Sequence, residues 1–412
     1  MSVPRRVLQL DTSVWFKPYS GGQRRSAALT AAYRRAGWEV MCIGLYDLEH
    51  TPPQDIGPTD LPLPPSAMTW IREHTVMWPL FGGLAAADDP HIQAALAHLI
   101  DEFQPEVVHY EHPYMPVVVE GVLRRLPRKP LVVYSSHNVE SPMYEQILVD
   151  RGANQAYIDE VCGIVQQLET RLVNESDLVL AVTEKDKREY EAMGEDVRVL
   201  VVPNGIDKYP VDPVSRLRQH SALSQRGVTS LAMFVGSDWQ PNVRGFLELV
   251  GMETSWLPPG ALVRLAGSVG TAVIEQAGEL DPAHGMPFWN NVDSVGWVDD
   301  ADLTALLDLA DVVLLPVLSG GGSNLKTAEA LLSEKKIVAT SFAMKGFEEF
   351  LDMPQLWIAD SPEDFRRAMA EALSGPPVPL TPEQQARVRT VTWENHTPHA
   401  VTAVAELLDQ RD

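Results

Sequence analysis

DVVLLPVLSGGGSNLKTAEA, residues 311–330, carries the strongest fold signal in this chain. An apolar run, Val312–Leu315, leads into a glycine-rich turn, and the turn leads into a helical pattern at Asn324–Ser333. A strand followed by such a turn and helix is typical of an open parallel α/β sheet, in which ligands bind at the carboxyl ends of the strands. The stretch therefore predicts a doubly wound sheet with a ligand site where this helix begins.

The turn itself favours a phosphate ligand, because free amides at a helix N-terminus and the helix dipole together attract anions. We expect the amides that follow Gly322 to point at a diphosphate; they belong to Ser323, Asn324 and Leu325. Helix capping alone would account for one such feature, but not for a triple glycine, a lysine and a glutamate together. The stretch is not a P-loop, since Leu325 stands where a glycine would precede the Lys-Thr pair.

Two charged side chains follow the turn. Lys326 lies in the first turn of the predicted helix, where its ammonium group can pair with a phosphate. Glu329 comes three residues later and therefore lies on the same helical face. A carboxylate there suits the two hydroxyls of a ribose. The sequence thus predicts a nucleotide site, with Lys326 as a catalytic cation.

Apolar strands alternate with helical segments along nearly the whole chain, which predicts βαβ units around buried parallel sheets. The predicted strands of the first half are Val7–Leu10, Glu39–Leu45, Val107–Tyr110, Leu131–Ser135, Leu178–Val182 and Val197–Val202. Those of the second half are Leu231–Val235, Ala261–Ala266, Asp293–Val298, Val312–Leu315 and Lys336–Thr340. The predicted helices include Gln23–Ala36, Ile92–Phe103, Tyr157–Val173, Asn324–Ser333, Pro362–Ser374 and His399–Leu408.

The alternation pauses once, at the turn Pro203–Asp207 and the polar residues 208–229. Because 412 residues exceed one ordinary core, we predict two Rossmann-like domains, residues 1–205 and 206–393, facing a central cleft. A final helix within 394–412 is assigned to the first domain. Residues 50–90 are rich in proline and glycine and have weak periodicity, which predicts a long loop or a lid-like insertion.

Two further candidates lie in the first half. Gly21-Gly22 opens the helix Gln23–Ala36, and glycines there would let backbone amides approach an anion, although a plain loop turn explains them equally well. His137 follows the strand Leu131–Ser135 and should point into the crevice at its carboxyl end. The alternative is a structural histidine that satisfies loop backbone. Residues Tyr110–Pro113 end a neighbouring strand in a similar way.

Composition excludes several classes of partner. The net charge of −23 repels nucleic acid and anionic lipid, so we expect neither as a main partner. No window approaches the ~20 apolar residues that span a bilayer, and the first residues do not resemble a signal peptide. Cys42 and Cys162 are the two cysteines, both in apolar contexts, which favours reduced thiols. We therefore expect a cytoplasmic protein with at most weak peripheral membrane association.

A metal site is not expected. The acidic run Asp299–Asp302 directly precedes the helical pattern Leu303–Leu309, so helix capping and compensation of the helix dipole explain it. The sequence also lacks a His/Cys cluster with the spacing of a metal site. We predict no metal ligated by protein and no cofactor beyond a nucleotide-linked co-substrate.

Taken in order, these motifs resemble glycosyltransferase family 4, whose members have the GT-B fold and conserve the anomeric configuration of the donor. The most specific match is the stretch from Gly320 to Glu329. Shorter matches occur at Gly21-Gly22, Ala181–Thr183, Val202–Asp207, Phe234–Gly236, Gly296–Val298, Ala310–Val312 and Thr392–Glu394. Together they cover nearly the whole chain.

The resemblance implies a role for each matching residue. Glu329 would bind the ribose of the nucleotide. The amides after Gly322, with Gly21-Gly22 opposite, would hold the diphosphate. His137 would lie near the C6 hydroxyl of the transferred sugar and near the reaction centre.

The chain departs from the family pattern at three positions. Gly321 stands where the family has a glutamate that contacts the transferred sugar. Many members carry an arginine directly after the glycine that matches Gly236 and a lysine six residues past it; here these positions are Ser237 and Asn242. We expect Lys326 to replace both cations, with Arg24 or Arg244 as additional helpers.

The resemblance implies transfer of a sugar from a UDP- or GDP-linked donor to a hydroxyl or similar nucleophile of an unknown acceptor, which is a glycan, a lipid-linked molecule or a small molecule. Closure of the domains would exclude water from an oxocarbenium-like transition state. Two alternatives stay open. One is a nucleotide-sugar epimerase or hydrolase on the same fold. The other is a non-catalytic nucleotide-sugar-binding partner subunit, which the departures at Gly321, Ser237 and Asn242 make plausible.

Overall fold

The computed structural model describes residues 4–280, 290–319 and 325–411 of the chain. The predicted phosphate-binding residues Gly322, Ser323 and Asn324, and the departure at Gly321, lie outside these ranges. The chain divides into two compact units, one formed by Met1–Asn204 with Trp393–Asp412 and the other by Gly205–Thr392.

The first unit is built on a six-stranded sheet with the strand order β2-β1-β5-β6-β7-β8, in which every pair is parallel. Its strands are β1 Arg6–Leu10, β2 Glu39–Ile43, β5 Val107–Tyr110, β6 Leu131–Ser135, β7 Leu178–Ala181 and β8 Val199–Val201. Two short strands, β3 Leu45–Tyr46 and β4 Leu61–Pro62, form a separate parallel pair.

Helices cover both faces of this sheet. Neighbouring residues of one strand, such as Val7 and Leu8, are both fully buried but belong to different apolar clusters. Because side chains alternate across a strand, burial of both faces requires nearly continuous apolar strands, as the sequence has. The helices are Gly21–Arg35, Pro65–Glu73, Trp78–Asp88, Pro90–Phe103, Pro116–Leu123, Glu140–Asp150, Gln155–Glu175, Glu184–Glu191 and Trp393–Asp409.

The second unit repeats this plan with the strand order β11-β10-β9-β12-β13-β14, again with all pairs parallel. Its strands are β9 Ser230–Val235, β10 Ala261–Ala266, β11 Val292–Gly296, β12 Val312–Leu315, β13 Lys336–Ala339 and β14 Leu356–Ile358. Its described helices are Pro213–Gln225, Gln240–Leu249, Ser268–Leu280, Asp300–Leu309, Leu325–Leu332, Pro362–Ser374 and Pro382–Val388. The prediction of an α/β fold with two Rossmann-like units is confirmed.

The prediction of a long loop over residues 50–90 is wrong. Two helices, Pro65–Glu73 and Trp78–Asp88, occupy most of its second half. Their prolines lie in the first turn, where the missing amide hydrogen costs nothing because that amide has no partner within the helix. The helix Trp78–Asp88 is apolar on nearly all sides, and its Gly83 packs against the backbone of Tyr114. A helix that is buried all round has no periodicity for a sequence analysis to find.

The last helix also begins earlier than predicted, at Trp393 rather than at His399, and contains Pro398 within its second turn. Its buried residues Ala400, Val401 and Val404 belong to the same apolar cluster as Leu29 of the helix Gly21–Arg35. The C-terminal segment is therefore part of the core of the first unit. Among the described helices, none is both long and apolar enough to cross a membrane.

Candidate functional site

Each sheet contains one point at which the strand order reverses. In the first unit β1 lies between β2 and β5, and in the second unit β9 lies between β10 and β12. The segments that leave the carboxyl ends of two such strands diverge to opposite faces of the sheet, which opens a crevice where ligands of this class of fold bind. The chain following β1, β5, β9 and β12 should therefore carry the functional residues.

In the second unit, residues from both sides of this point meet. Gly236 and Ser237 follow β9, and Asn242 lies in the helix Gln240–Leu249 with 3% of its surface exposed. The Asn242 side-chain amide donates to the Ser237 carbonyl oxygen at 2.9 Å, and its oxygen accepts a hydrogen bond from Nζ of Lys326. Lys326 belongs to the helix that follows β12. The structure thus joins three of the predicted site residues, Ser237, Asn242 and Lys326, in one hydrogen-bonded chain.

A glycine makes this meeting possible. A Cβ at Gly245 would overlap the carbonyl oxygen of Pro316, which directly follows β12. The helix Gln240–Leu249 therefore packs against the backbone that leaves β12 without an intervening side chain. This close approach brings Asn242 within reach of a lysine that stands 84 residues later in the sequence.

The charge state of Lys326 is sensitive to its surroundings. Burial lowers the pKa of Lys326 to about 8, while the nearby Glu329 carboxylate acts in the opposite direction. Its described hydrogen bond goes to the neutral amide of Asn242 and not to a carboxylate. An anionic ligand would raise this pKa, so the position suits a group that becomes fully cationic when a phosphate binds.

In the first unit, the structure brings two other predicted residues, Gly22 and His137, into contact. Gly22 is the second residue of the helix Gly21–Arg35, and His137 follows β6. A Cβ at Gly22 would lie 2.7 Å from Nδ1 of His137, which is closer than real Cβ contacts come. The imidazole ring therefore leaves no room for a side chain at this position. Gly21 begins the helix, and Ser20 caps it by accepting a hydrogen bond from the Gln23 amide at 3.3 Å.

The protonation state of His137 depends on its burial and on two neighbouring groups, Glu111 and His112. Its Nε2 lies 3.0 Å from Oε2 of Glu111, which directly follows β5 and is fully buried. Burial opposes ionisation of Glu111, but the two histidines that contact it, His109 and His137, outweigh burial and hold its pKa well below the usual range. Burial of His137, assisted by the neighbouring His112 charge, lowers the pKa of His137 to about 4. His137 is therefore neutral at pH 7, donates from Nε2 to Glu111 and keeps an acceptor lone pair on Nδ1.

His112 has the opposite charge state. Its ring centre lies 4.3 Å from that of His137, and its Nδ1 lies 3.2 Å from Oε1 of Glu140. Burial disfavours the charged form, but the carboxylates of Glu140 and Asp11 prevail and raise the pKa of His112 to about 9. A cationic and a neutral imidazole thus lie side by side at the carboxyl edge of this sheet. The sequence points to Tyr110–Pro113, but only the structure identifies Glu111 and Glu140 as partners of these two rings.

Another buried cation, Arg25, has a structural role. Arg25 is 1% exposed and donates to the carbonyl oxygen of Val202 at 2.8 Å, to Oδ1 of Asn204 at 3.1 Å and to Oγ of Ser135 at 3.3 Å. These bonds tie the helix Gly21–Arg35 to the carboxyl ends of β6 and β8. Sequence analysis named Arg24 as a helper, whereas Arg25 is the residue that this helix turns inward.

Two acidic clusters have structural explanations. Asp299 accepts from the Asp302 amide at 2.8 Å and so caps the helix Asp300–Leu309, which confirms the capping interpretation. Asp47, Glu49 and His50 have ligand atoms within 4.8 Å of one another. The guanidinium group of Arg72, however, lies 2.6 Å from Glu49 and 3.4 Å from Asp47, so these charges are already compensated by an ion pair.

Comparison with known proteins adds to this geometry. Residues 19–208 match the family described as Glycosyltransferase Family 4, and residues 232–375 match the family described as Glycosyl transferases group 1. Among curated protein sequences, none matches this chain significantly.

Similar solved structures cover nearly the whole chain at low sequence identity. Sucrose-phosphate synthase from Thermosynechococcus elongatus has a TM-score of 0.70 and 16% identity, over 98% of this chain and 100% of that chain. The E. coli trehalose-6-phosphate structure bound with UDP-2-fluoro glucose has a TM-score of 0.66 and 13% identity, over 98% and 99%. The HepE protein of Anabaena in complex with UDP has a TM-score of 0.63 and 15% identity, over 97% and 100%. At these identities the likeness establishes the fold.

Proposed function

Since the chain is a glycosyltransferase of the family 4 type with the GT-B fold, we propose that it moves a sugar from a nucleoside diphosphate sugar to an acceptor hydroxyl with retention of anomeric configuration. The observation that carries the proposal is the hydrogen bond from Lys326 to Asn242. This bond holds a half-buried cation at the reversal point of the second sheet, beside the position at which the family pattern has a lysine.

The donor binds to the second unit in this proposal. Lys326 pairs with the diphosphate, together with the backbone amides of Ser323, Asn324 and Leu325, which follow Gly322 in the sequence. Gly236, Ser237 and Asn242 border the same space, and Glu329 binds the ribose hydroxyls. UDP and GDP are the nucleotides proposed, and the three similar structures include two with UDP or a UDP-sugar bound.

Catalysis is then mainly electrostatic. Negative charge grows on the diphosphate as the bond to the anomeric carbon breaks, and Lys326 together with the amides stabilises that charge. A cation that is already held in place by Asn242 needs no reorganisation during the reaction. In this proposal Lys326 and the helix amides take the place of a metal ion at the diphosphate, so the reaction needs none.

His137 acts on the sugar rather than on the phosphate in this scheme. With a pKa of about 4 it cannot serve as a general acid at neutral pH, but its Nδ1 can accept a hydrogen bond from a sugar hydroxyl. Glu111 fixes the tautomer that leaves this acceptor available. We propose a front-face transfer, in which the acceptor attacks from the side of the leaving group. The acceptor hydroxyl then loses its proton to the departing phosphate, so no protein base is required.

A donor screen tests the proposal directly. The full chain is incubated with UDP- and GDP-linked sugars, and thermal shift and slow release of the nucleoside diphosphate are measured with and without EDTA. We expect one donor to raise the melting temperature and to be hydrolysed at a rate that EDTA does not change. Loss of turnover with EDTA that Mg²⁺ or Mn²⁺ restores would contradict metal independence, and the absence of any donor that binds would contradict the function.

A further inference from the structure

The first unit contains a small polar and aromatic pocket of about 160 Å³ at the carboxyl ends of β1 and β3. The loop after β1, the start of the helix Gly21–Arg35, the segment after β3 and Trp78 form its walls. Gln23, one of the lining residues, directly follows Gly22, and Gly22 packs against His137. The same first turn of this helix therefore lines the pocket through Gln23 and contacts His137 through Gly22.

The walls of the pocket are held in place before any ligand arrives. Oε1 of Gln23 accepts from the amides of Tyr19 and Ser20 at 3.0 and 3.1 Å, and its Nε2 donates to the Val14 carbonyl oxygen at 2.8 Å. The indole of Trp78 donates to the carbonyl oxygen of Thr12 at 3.2 Å. These bonds fix the loop between β1 and the helix, so a ligand would meet a formed pocket instead of ordering a loose one.

The chemistry of the lining favours a compound rich in hydroxyl groups. Three aromatic side chains, Tyr19, Tyr46 and Trp78, offer apolar faces, and Tyr19 is 70% exposed. Asp55 and His50 add hydrogen-bonding groups between them. A sugar or polyol presents C–H groups to aromatic rings and hydroxyls to carboxylate and imidazole, which is the combination of surfaces that this pocket complements.

The charge of the lining opposes an anionic ligand. Its residues, all of them in the described part of the chain, include the carboxylate of Asp55 and neither lysine nor arginine. Arg72, whose guanidinium group lies 3.3 Å from Nδ1 of the lining residue His50, is paired with Asp47 and Glu49, and Asp47 also binds His50 at 2.8 Å. A phosphate or carboxylate on the ligand would therefore face the Asp55 carboxylate, with no lysine or arginine among the described lining residues to pair with.

We infer that this pocket binds the acceptor and that the acceptor is an uncharged, polyhydroxylated compound, a sugar or polyol without phosphate or carboxylate. The inference rests on the proposed transferase function and adds the chemical class of the acceptor. Its size admits one sugar ring, so an oligosaccharide would enter by its terminal residue alone.

The test compares matched acceptors with the donor identified by the screen. Nucleoside diphosphate release by the full chain is measured with glucose, mannose, galactose and glycerol, and in parallel with glucose 6-phosphate, mannose 6-phosphate, galactose 6-phosphate and glycerol 3-phosphate. We expect at least one neutral compound to stimulate release well above donor hydrolysis, and its phosphate ester to be at least tenfold poorer in kcat/KM. A preference for phosphate esters, or a panel in which no neutral compound stimulates release, overturns the inference.

Two variants locate the site. Tyr19→Ala should raise the KM for the neutral acceptor at least tenfold while changing the donor KM much less. Phe16→Ala is the matched control, because Phe16 is an equally exposed aromatic residue of the same loop (62%) that does not line this pocket. An unchanged acceptor KM in Tyr19→Ala, or an equal change in both variants, places the acceptor elsewhere. Failure of the proposed function would give a different result from failure of this inference. The protein would then not hydrolyse the donor even in reactions that contain no acceptor.

Discussion

The proposed function depends on the charge of one group, the ammonium group of Lys326. Its hydrogen bond to Asn242 fixes its position, and burial lowers its pKa to about 8. The protonated form is therefore available below this pH and is lost above it. The affinity for a phosphate that pairs with this cation should fall above this pH, because the unprotonated amine offers no charge to pair with.

This gives a prediction for pH. The affinity of wild-type protein for UDP or GDP, measured by calorimetry from pH 7 to pH 9.5, should begin to fall near pH 8 and approach a tenfold loss per pH unit. The nucleotide contributes little to this trend, since the second phosphate pKa is near 6. Lys326→Arg keeps its charge throughout the range, so its affinity should stay flat. Parallel curves for the two proteins would show that another group is responsible.

Glu329 is the second residue with a distinct expected effect. If its carboxylate binds the ribose hydroxyls, Glu329→Gln should weaken binding of the nucleoside diphosphate by about 1–3 kcal/mol, the range for hydrogen bonds to a charged group. The change should be smaller for inorganic pyrophosphate, which has no ribose. A calorimetric titration that gives wild-type affinity for the nucleotide would remove Glu329 from the donor site.

His137 should behave differently from both. His137→Ala is expected to leave nucleotide affinity unchanged and to depress sugar transfer, because the ring is proposed to contact the sugar. Glu111→Gln keeps an oxygen acceptor for Nε2 of His137 but removes the charge, so it should retain more transfer activity than His137→Ala. Normal transfer in His137→Ala would make it a structural histidine that satisfies its surroundings.

Among the structural elements, the helix Gly21–Arg35 depends on the absence of one side chain. Gly22→Ala would place a methyl group 2.7 Å from Nδ1 of His137, whose ring is 7% exposed and bound to Glu111. Overpacking of this kind costs about 1–3 kcal/mol and would displace the ring. We expect lower stability to denaturant and reduced transfer in the same variant.

Gly163→Ala is the matched control for this element. Gly163 lies in the helix Gln155–Glu175, and a Cβ there has open space around it. Alanine in a helix is favoured over glycine by up to about 1 kcal/mol, so this variant should be neutral or slightly more stable. If Gly22→Ala is equally well tolerated, then the contact between the helix and His137 does not constrain the site.

The elements also show what sequence can predict. Buried parallel strands such as Val312–Leu315 are readable because burial on both faces demands an apolar run. The helix Trp78–Asp88 cannot be recognised from the sequence in this way. With apolar residues on nearly all sides, it lacks the periodic apolar pattern that marks an amphipathic helix. The last helix begins at Trp393 and not at the predicted His399, and it contains Pro398, a residue type that usually marks a helix boundary.

Residues of the candidate site can be proposed from the sequence, but the pairs that they form cannot. The sequence singles out Lys326, His137 and Gly22 by their positions after strands or at the start of a helix. That Lys326 reaches Asn242 follows from β9 lying next to β12, and that Glu111 reaches His137 follows from β5 lying next to β6. Strand order is a property of the folded sheet, so these pairs required the structure.

For the molecule as a whole, the two units carry complementary parts of the proposed reaction. The second unit offers the half-buried Lys326 at its sheet reversal, and the first offers a neutral histidine and a pocket whose described lining has neither lysine nor arginine. The net charge of −23 adds a general repulsion of anions, so a nucleotide must be bound by specific contacts such as Lys326 and helix amides.

The central claim is that the chain transfers sugar from a nucleoside diphosphate and that Lys326 stabilises the leaving diphosphate. The decisive measurement is the kinetics of Lys326→Ala beside the wild type, with the product's anomeric configuration determined by NMR. We predict a product with the donor's configuration, and a loss in kcat of about 10²–10³ in the variant, larger than its loss in donor affinity. A wild-type protein that binds a donor tightly but transfers and hydrolyses none would contradict the account and identify a non-catalytic nucleotide-sugar-binding protein.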